Sequence, residues 1–263
     1  MEQDAKKWLA WGIPIVVVAG LLAALYYGRK HNEDVAVTAP PTQTIAPPAP
    51  APAAPANYPI EPTAEAQLPT LADSDSAMQE SLLGAVGRRL QELLVPKDLI
   101  RHIVTTVDNL PRKKTAVQLR PLKATGGQLA VTGADQNLVL SEANFARYDS
   151  FVKLVQNTDV KQVVAVYRRF YPLFQQAYSE LGYPDGYFNN RLVEVIDHLL
   201  ETPEVTGPIK LTQPRVFYEF ADPALEERSA GQKLLIRMGS NHAAALKMKL
   251  RELRREIAKQ PGQ

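Results

Sequence analysis

The longest apolar segment, Trp8–Tyr27, contains 20 residues and no charged side chain. A helix of that length rises about 30 Å, which matches the hydrocarbon core of a bilayer. Trp8 and Trp11 stand near one end and Tyr26 and Tyr27 at the other, where amphipathic rings favour the headgroup region. A cleavable signal peptide would have a shorter apolar stretch that ends at a small-residue site. The run therefore predicts an uncleaved transmembrane signal anchor.

The charges that flank this anchor are nearly symmetrical. Lys6 and Lys7 precede it, and Arg29 and Lys30 follow it, so the positive-inside rule leaves the orientation open. The Pro/Ala-rich stretch that comes next favours a cytoplasmic tail of residues 1–7 and an exported C-terminal domain. We expect a single-pass protein of the bacterial inner membrane, with its C-terminal domain in the periplasm.

Residues 28–72 are predicted to be a disordered linker. From Ala36 to Ala72 the chain has 11 alanines and 10 prolines. This tract has too few large apolar side chains to offset the entropy lost on folding. Repeated proline favours extended polyproline II, which suits a semi-rigid tether. Pro47–Pro50 also fits a PxxP ligand pattern, but no basic residue flanks it.

The remaining residues, 73–263, are predicted to form one folded domain. The whole chain has a formal net charge of +2 and no cysteine. The small charge gives no reason to expect nucleic acid as a partner. Without cysteine the chain has no disulfide, thiol nucleophile or cysteine-ligated metal.

Helical spacing dominates this domain. Apolar residues recur three or four positions apart in Leu82–Leu94, Leu99–Val107, Phe145–Val155 and Val163–Tyr178. Residues 128–132 and 137–140 alternate around a polar turn and predict a β-hairpin, and Ile209–Leu211 with Val216–Phe220 suggests a second β piece. The expected fold class is mainly α with a small β-hairpin or sheet, preceded by the transmembrane helix and the linker.

The C-terminal third contains several helix-boundary signals. Asp222, followed by proline, predicts a helix start, and that helix is expected to run to about Met238. Gly239 then fits a left-handed position beyond the helix end. Ser240 or Asn241 is expected to cap the last helix.

The last helix carries an apolar seam with heptad spacing. Its members are Ala243, Leu246, Leu250, Leu253 and Ile257. About two heptads are too few for an independent coiled coil, so we expect the seam to pack on its own domain. Pairing with a second copy stays open, as does use of the basic residues for anionic lipid or an acidic partner. These basic residues are Lys247, Lys249, Arg251, Arg254, Arg255 and Lys259.

Three strings in the domain match a known family. They are Tyr167–Pro184, His198–Pro203 and Gly231–Gly239. The chain resembles the domain of unknown function 3014 family over most of residues 76–257, and the anchor with its Ala/Pro tract is similar to that family's layout. The resemblance implies architecture and a membrane-anchored location. It implies no catalytic residue, cofactor or activity.

A weak metal candidate lies on one predicted helix. Glu194, His198 and Glu201 are spaced so that one face presents two carboxylates and an imidazole, a ligand set that suits zinc. An amphipathic helix would show the same polar face to water. No second cluster of histidine lies nearby in sequence, so we predict no metal site.

The usual catalytic patterns are missing from the sequence. Ser240 precedes His242 by two residues, but the glycine-flanked serine turn of hydrolases is absent. Gly126–Gly127 begins neither a Walker nor a Rossmann pattern. We therefore predict no catalytic residue and no cofactor.

Two binding hypotheses remain. Arg237, Gly239, Ser240 and Asn241 could form an anion seat at a helix N-terminus, although ordinary capping explains the same residues. The turn at residues 183–186 is a Pro-Asp-Gly turn, which belongs at the surface. Its neighbours Tyr183, Tyr187 and Phe188 are the predicted recognition surface.

Two classes of function fit this organisation. The first is a non-enzymatic binding or scaffold module, anchored in the inner membrane and recognising an envelope protein or a cell-wall component. The second is a membrane-tethered enzyme that acts on envelope material through a site the sequence does not reveal. The anchor, the linker and the missing catalytic motifs favour the first.

Overall fold

The structure of the chain is a computed structural model that describes residues 57–61, 67–113, 119–123, 129–134 and 137–259. The predicted anchor, Trp8–Tyr27, lies outside the described residues, as does the linker up to residue 56. Within the described ranges, no helix is long and apolar enough to cross a membrane. The membrane anchor therefore stays a prediction from the sequence.

The described part of the chain contains ten α-helices and four short strands. The helices are α1 Asp75–Val86, α2 Leu90–Leu93, α3 Leu99–Asn109, α4 Ala143–Ala146, α5 Asp149–Gln156, α6 Val160–Glu180, α7 Phe188–Leu200, α8 Pro223–Glu226, α9 Ala230–Arg237 and α10 Ser240–Ile257. The strands are β1 Val131–Thr132, β2 Leu138–Leu140, β3 Lys210–Thr212 and β4 Glu219–Phe220. The expectation of a mainly helical domain with a small sheet is confirmed.

Helix α6 is the centre of the helical core. Its residues Tyr167, Phe170 and Phe174 are each at most 1% exposed. Helices α1, α3 and α10 all pack on it, and α10 also contacts α5 and α7. Helix α6 is therefore packed against three other helices, and the turn that follows it starts from this packed helix.

The four strands form one antiparallel sheet in the order β1-β2-β3-β4. Val131 pairs with Leu140, and Leu138 pairs with Leu211, which in turn pairs with Phe220. The two β pieces predicted separately thus share a single sheet. One face of the sheet buries a small second core of Leu140, Ile209, Leu211, Phe220 and Ile236.

The predicted helix after Asp222 is two helices. Asp222 does cap the first of them, but α8 ends at Glu226 instead of continuing to Met238. Ser229 Oγ then accepts a hydrogen bond from Gln232 N at 3.2 Å and caps α9. A serine that satisfies its own backbone in this way starts a new helix and interrupts a continuous one.

Gly239 takes the cap position that was predicted for Ser240 or Asn241. Its φ is 87°, in the positive region expected for this glycine. Helix α10 begins directly at Ser240, and neither Ser240 nor Asn241 caps it with a side chain. The prediction that Ser240 or Asn241 caps α10 is wrong, because the cap position falls on Gly239. The backbone there lies against an aromatic ring, and a Cβ on Gly239 would stand 3.0 Å from Phe145.

The heptad seam of α10 is buried within the domain. Leu246, Leu250, Leu253 and Ile257 are each at most 2% exposed and pack in the main core. The expected intramolecular packing is therefore confirmed. Ala243 is half-buried at the edge of the same cluster.

The basic face of α10 is narrower than its sequence suggests. Lys247 is only 6% exposed, and its Nζ donates to Thr202 O at 2.5 Å. Arg254 forms a two-bond ion pair with Asp197, with Nη2 and Oδ2 2.9 Å apart. Arg251 is exposed. Lys247 and Arg254 thus use their charges in contacts within the domain.

The core includes residues that precede Asp73. Leu71 is 6% exposed, and Tyr58, Ile60 and Leu68 pack against the main core. These residues belong by sequence to the end of the linker, 28–72. The packed part of the chain therefore begins earlier than the composition predicts.

Candidate functional site

The turn between α6 and α7, residues 181–187, is referred to as the corner. Its second residue, Gly182, has a φ of 117°, which L side chains rarely adopt. Gly186 N then donates to Tyr183 O at 3.2 Å and closes the predicted Pro-Asp-Gly turn. A Cβ on Gly186 would stand 3.0 Å from the ring of Tyr178. Two glycines thus let the backbone reverse tightly against an aromatic side chain.

A single side chain in α6 fixes the corner from beneath. Gln175 Nε2 donates to Gly186 O at 2.7 Å, and its Oε1 accepts from Phe188 N at 2.9 Å. Tyr171 donates to the same Oε1 at 3.3 Å and orients the amide. The amide therefore joins the end of the turn to the first residue of α7, and the corner is held in one conformation.

The three aromatic residues predicted for recognition differ in how far they are exposed to solvent. Tyr187 is 40% exposed, whereas Phe188 is 1% exposed and stacks on Phe174 with ring centres 5.7 Å apart. Tyr183 is half-buried and stacks on Tyr178 at 4.6 Å. The prediction for Phe188 is wrong, because as the first residue of α7 it points into the core.

Leu181 adds an apolar side chain to the same corner. It is 38% exposed, and it stands one position before Gly182. Leu181 and Tyr187 are thus the two exposed large apolar residues of the corner. The sequence reasoning passed over Leu181 because a leucine at the end of a helix usually belongs to the core.

A buried carboxylate lies beside the corner. Asp108, near the end of α3, has a side chain that is 3% exposed. Its Oδ2 lies 2.5 Å from Arg112 Nη2, and its Oδ1 lies 3.1 Å from Arg191 Nε. The Tyr183 hydroxyl donates to Oδ2 at 3.3 Å. Asp108 thus joins α3, α7 and the corner, and the sequence analysis missed it.

Two groups at this site, Arg112 and Tyr178, have raised pKa values. The neighbouring Asp108 raises the pKa of Arg112, whose guanidinium also donates to the Tyr183 hydroxyl at 3.1 Å. Burial raises the pKa of Tyr178 to about 12. At neutral pH the group therefore presents the protonated phenol of Tyr178 and the half-exposed guanidinium of Arg112. Such a set can bind an anionic or aromatic group.

The weak metal candidates do not converge. Glu194 is exposed and lies 3.4 Å from Arg191, while His198 Nε2 is hydrogen-bonded to Ser229 Oγ at 2.8 Å. Glu201 is exposed at the end of the helix. Among the described residues, no group of three or more His, Cys, Asp or Glu side chains could hold a metal ion.

The predicted anion seat is divided between two environments. The guanidinium of Arg237 lies 5.0 Å above the ring of Phe220, and burial there lowers its pKa. Gly239 is covered by Phe145, and Ser240 is exposed, as is its neighbour Asn241. The junction of α9 and α10 is thus explained by packing and by the positive φ of its glycine.

A shallow groove of about 420 Å³ runs between α10 and the turn from α5 to α6. Its lining includes basic residues, Lys161, Lys249 and Arg255, together with three carboxylates. Lys249 Nζ already donates to Thr158 O and to Glu252, both at 3.1 Å. The balance of charges gives this groove no preference for one sign of ligand.

The comparisons with known proteins identify a family. The family described as "Protein of unknown function (DUF3014)" matches residues 99–254, which is more than half of the chain. The chain belongs to this family, as the strings in the sequence indicated. The match extends from α3 to α10 and so includes Asp108 and the corner. No curated protein and no solved structure matches the chain.

Proposed function

We propose that this chain is an inner-membrane-anchored envelope protein whose folded domain is a non-enzymatic binding or scaffold module. Its recognition surface is the corner together with the guanidinium groups beside it. The anchor rests on the apolar run Trp8–Tyr27 and on the linker that follows it. The choice of a binding module rests on the side chains that the domain holds at its surface.

The observation that carries the proposal is the exposure of Tyr187 and Leu181 on a rigid turn. Exposed apolar residues are common singly, but these two share one seven-residue corner. Tyrosine is among the residues that most often anchor protein interfaces. Gln175 fixes the backbone beneath them, so a partner would not have to order this surface before binding.

The charges around the corner define the partner further. Arg112 is 53% exposed and Arg191 is 25% exposed in their side chains, and Asp108 holds both. An interface with an apolar centre and guanidinium groups at its rim suits a protein surface that offers an apolar patch beside a carboxylate. We therefore propose a protein of the envelope as the partner of this corner.

Site-specific photocrosslinking in cells tests the proposal. A photoreactive amino acid at Tyr187 of the full chain is expected to capture a defined envelope protein. The matched control is Val216, which is apolar and 66% exposed but lies between β3 and β4. The same position in a chain that also carries Leu181→Asp should capture less, because a partner would then have to bury a charge at the corner. Equal capture of the same proteins from Val216 and from Tyr187 would contradict the proposal.

A further inference from the structure

Residues 57–61 lie against the first turn of α7 and belong to no helix or strand. Tyr58 N donates to Asn190 Oδ1 at 3.1 Å, and Asn189 Nδ2 donates to Tyr58 O at 2.8 Å. Both backbone polar groups of one residue are therefore bound by two adjacent side-chain amides. Recognition through the main chain is how a protein binds an extended peptide with little dependence on its sequence.

The side-chain amide of Asn189 is buried in the core, where further hydrogen bonds hold it. Asn189 is 0% exposed, and its Nδ2 also donates to Ile257 O at 3.0 Å. Its Oδ1 accepts from the buried hydroxyl of Tyr167 at 3.2 Å. The tyrosine and the end of α10 thus fix the orientation of the amide, and one of its two N–H groups is directed at the peptide.

Side chains of the segment add contacts to those of its backbone. Tyr58 and Ile60 both pack against the main core, while Pro59 between them is exposed. This alternation is that of an extended chain with one face buried.

We infer that Asn189 and Asn190 form a binding site for an extended peptide, and that its resident ligand is the chain's own segment, Tyr58–Ile60. A buried N–H without an acceptor is unfavourable, so the site favours an occupant that supplies a carbonyl. The segment ends eleven positions before Leu71, which is itself buried. Its effective concentration at the site is therefore high, and weak intrinsic binding suffices.

The consequence concerns the end of the predicted linker. Residues 28–72 are not a spacer throughout, because the chain is held at Tyr58 before it enters α1. The point of attachment lies beside the corner, since Asn189 follows Tyr187 by two positions.

Hydrogen exchange at single-residue resolution on the full chain in detergent tests this inference. In the wild type, the amide of Tyr58 is expected to exchange at least about tenfold more slowly than in a free peptide of the same sequence. Asn190→Ala removes the acceptor of that amide and should bring the rate close to that of the peptide. Asn241→Ala, an exposed asparagine on α10, is the matched control and should leave the rate unchanged.

Core amides show whether the variants keep their fold. Leu192 in α7 is buried, and its amide should stay slow in all three chains. An unprotected Tyr58 amide in the wild type would overturn the inference, and so would protection that persists in Asn190→Ala. This readout involves no partner of the corner, so the result is independent of the crosslinking experiment.

Discussion

At the scale of single residues, the carboxylate of Asp108 has the densest set of polar contacts beside the corner. It receives hydrogen bonds from two arginines and one tyrosine that come from three different elements. A carboxylate as buried as this is stable only while those partners remain. Its replacement therefore measures how strongly the corner depends on the helices below it.

Asp108→Ala is expected to lower the free energy of unfolding by about 1.5–3 kcal/mol, because the hydrogen bonds that the buried carboxylate accepts from charged groups are lost. Asp185→Ala in the exposed turn is the control, and it should change stability by less than about 0.5 kcal/mol. Urea unfolding followed by circular dichroism gives both values. Equal stability of the two variants would show that the ion pairs contribute nothing.

Gly239 offers a second test at this scale. Gly239→Ala should destabilise the domain by about 1–3 kcal/mol, because its φ is positive and a Cβ would press on Phe145. Gly84→Ala is the opposite case: Gly84 lies in α1 with open space around it, and alanine should stabilise the helix by up to about 1 kcal/mol. Thermal melts of the two variants should move in opposite directions.

His198 predicts a pH dependence. Burial lowers its pKa in the folded chain, so below its ordinary value of about 6.5 the unfolded chain binds the proton more readily. The free energy of unfolding should therefore fall as the pH falls through that region. His198→Gln keeps a hydrogen-bonding group toward Ser229 and should make the fall shallower. An unchanged slope across a urea-unfolding pH series would contradict this assignment.

The sequence predicted the corner in part. The Pro-Asp-Gly turn and its neighbours Tyr183 and Tyr187 follow from local chemistry, since turn residues act within four positions. Asp108 could not be found this way, because its partners Tyr183 and Arg191 lie 75 and 83 positions away. Only the packing of α3 on α7 brings those side chains together.

At the scale of elements, helix α10 shows what periodicity can and cannot predict. The heptad spacing identified the buried residues Leu246, Leu250, Leu253 and Ile257 correctly. It could not show that Lys247 is also buried, because a lysine is placed inside only when a distant acceptor, here Thr202 O, satisfies it. In the same way, the break between α8 and α9 depends on how Ser229 uses its hydroxyl.

Leu250→Asp tests the packing of α10. Leu250 is 0% exposed, so a buried carboxylate there should lower the free energy of unfolding by at least about 3 kcal/mol. Met248→Asp, on the same helix but 55% exposed, should change little. A variant that keeps its melting temperature but changes its mass in solution would instead make the seam an interface between copies.

At the scale of the whole molecule, the described residues form a main helical core with a small sheet attached beside it. The sequence predicted this arrangement in outline, because long amphipathic helices have strong periodic signals and the short strands alternate around recognisable turns. It did not predict that the core begins near Tyr58. Alanine and proline dominate the composition there, and three apolar residues are too few to register as a core.

The proposed topology predicts the outcome of fusions made after Gln263. A reporter that is active only after export should be active in the full chain, and one that is active only in the cytoplasm should be silent. The physical reason is the apolar run Trp8–Tyr27, which is long enough to span a bilayer. The reverse pattern would place the domain in the cytoplasm and remove the envelope from the proposed function.

The double role of Asn189 has a geometric consequence for both ends of the packed chain. One amide nitrogen bonds the carbonyl oxygens of Tyr58 and Ile257, so those two oxygens lie within about 6 Å of each other. The polypeptide thus enters and leaves its folded part at one place, as the two ends of a closed loop do. Anything attached close behind Ile257 therefore starts beside Tyr58 and the first turn of α7.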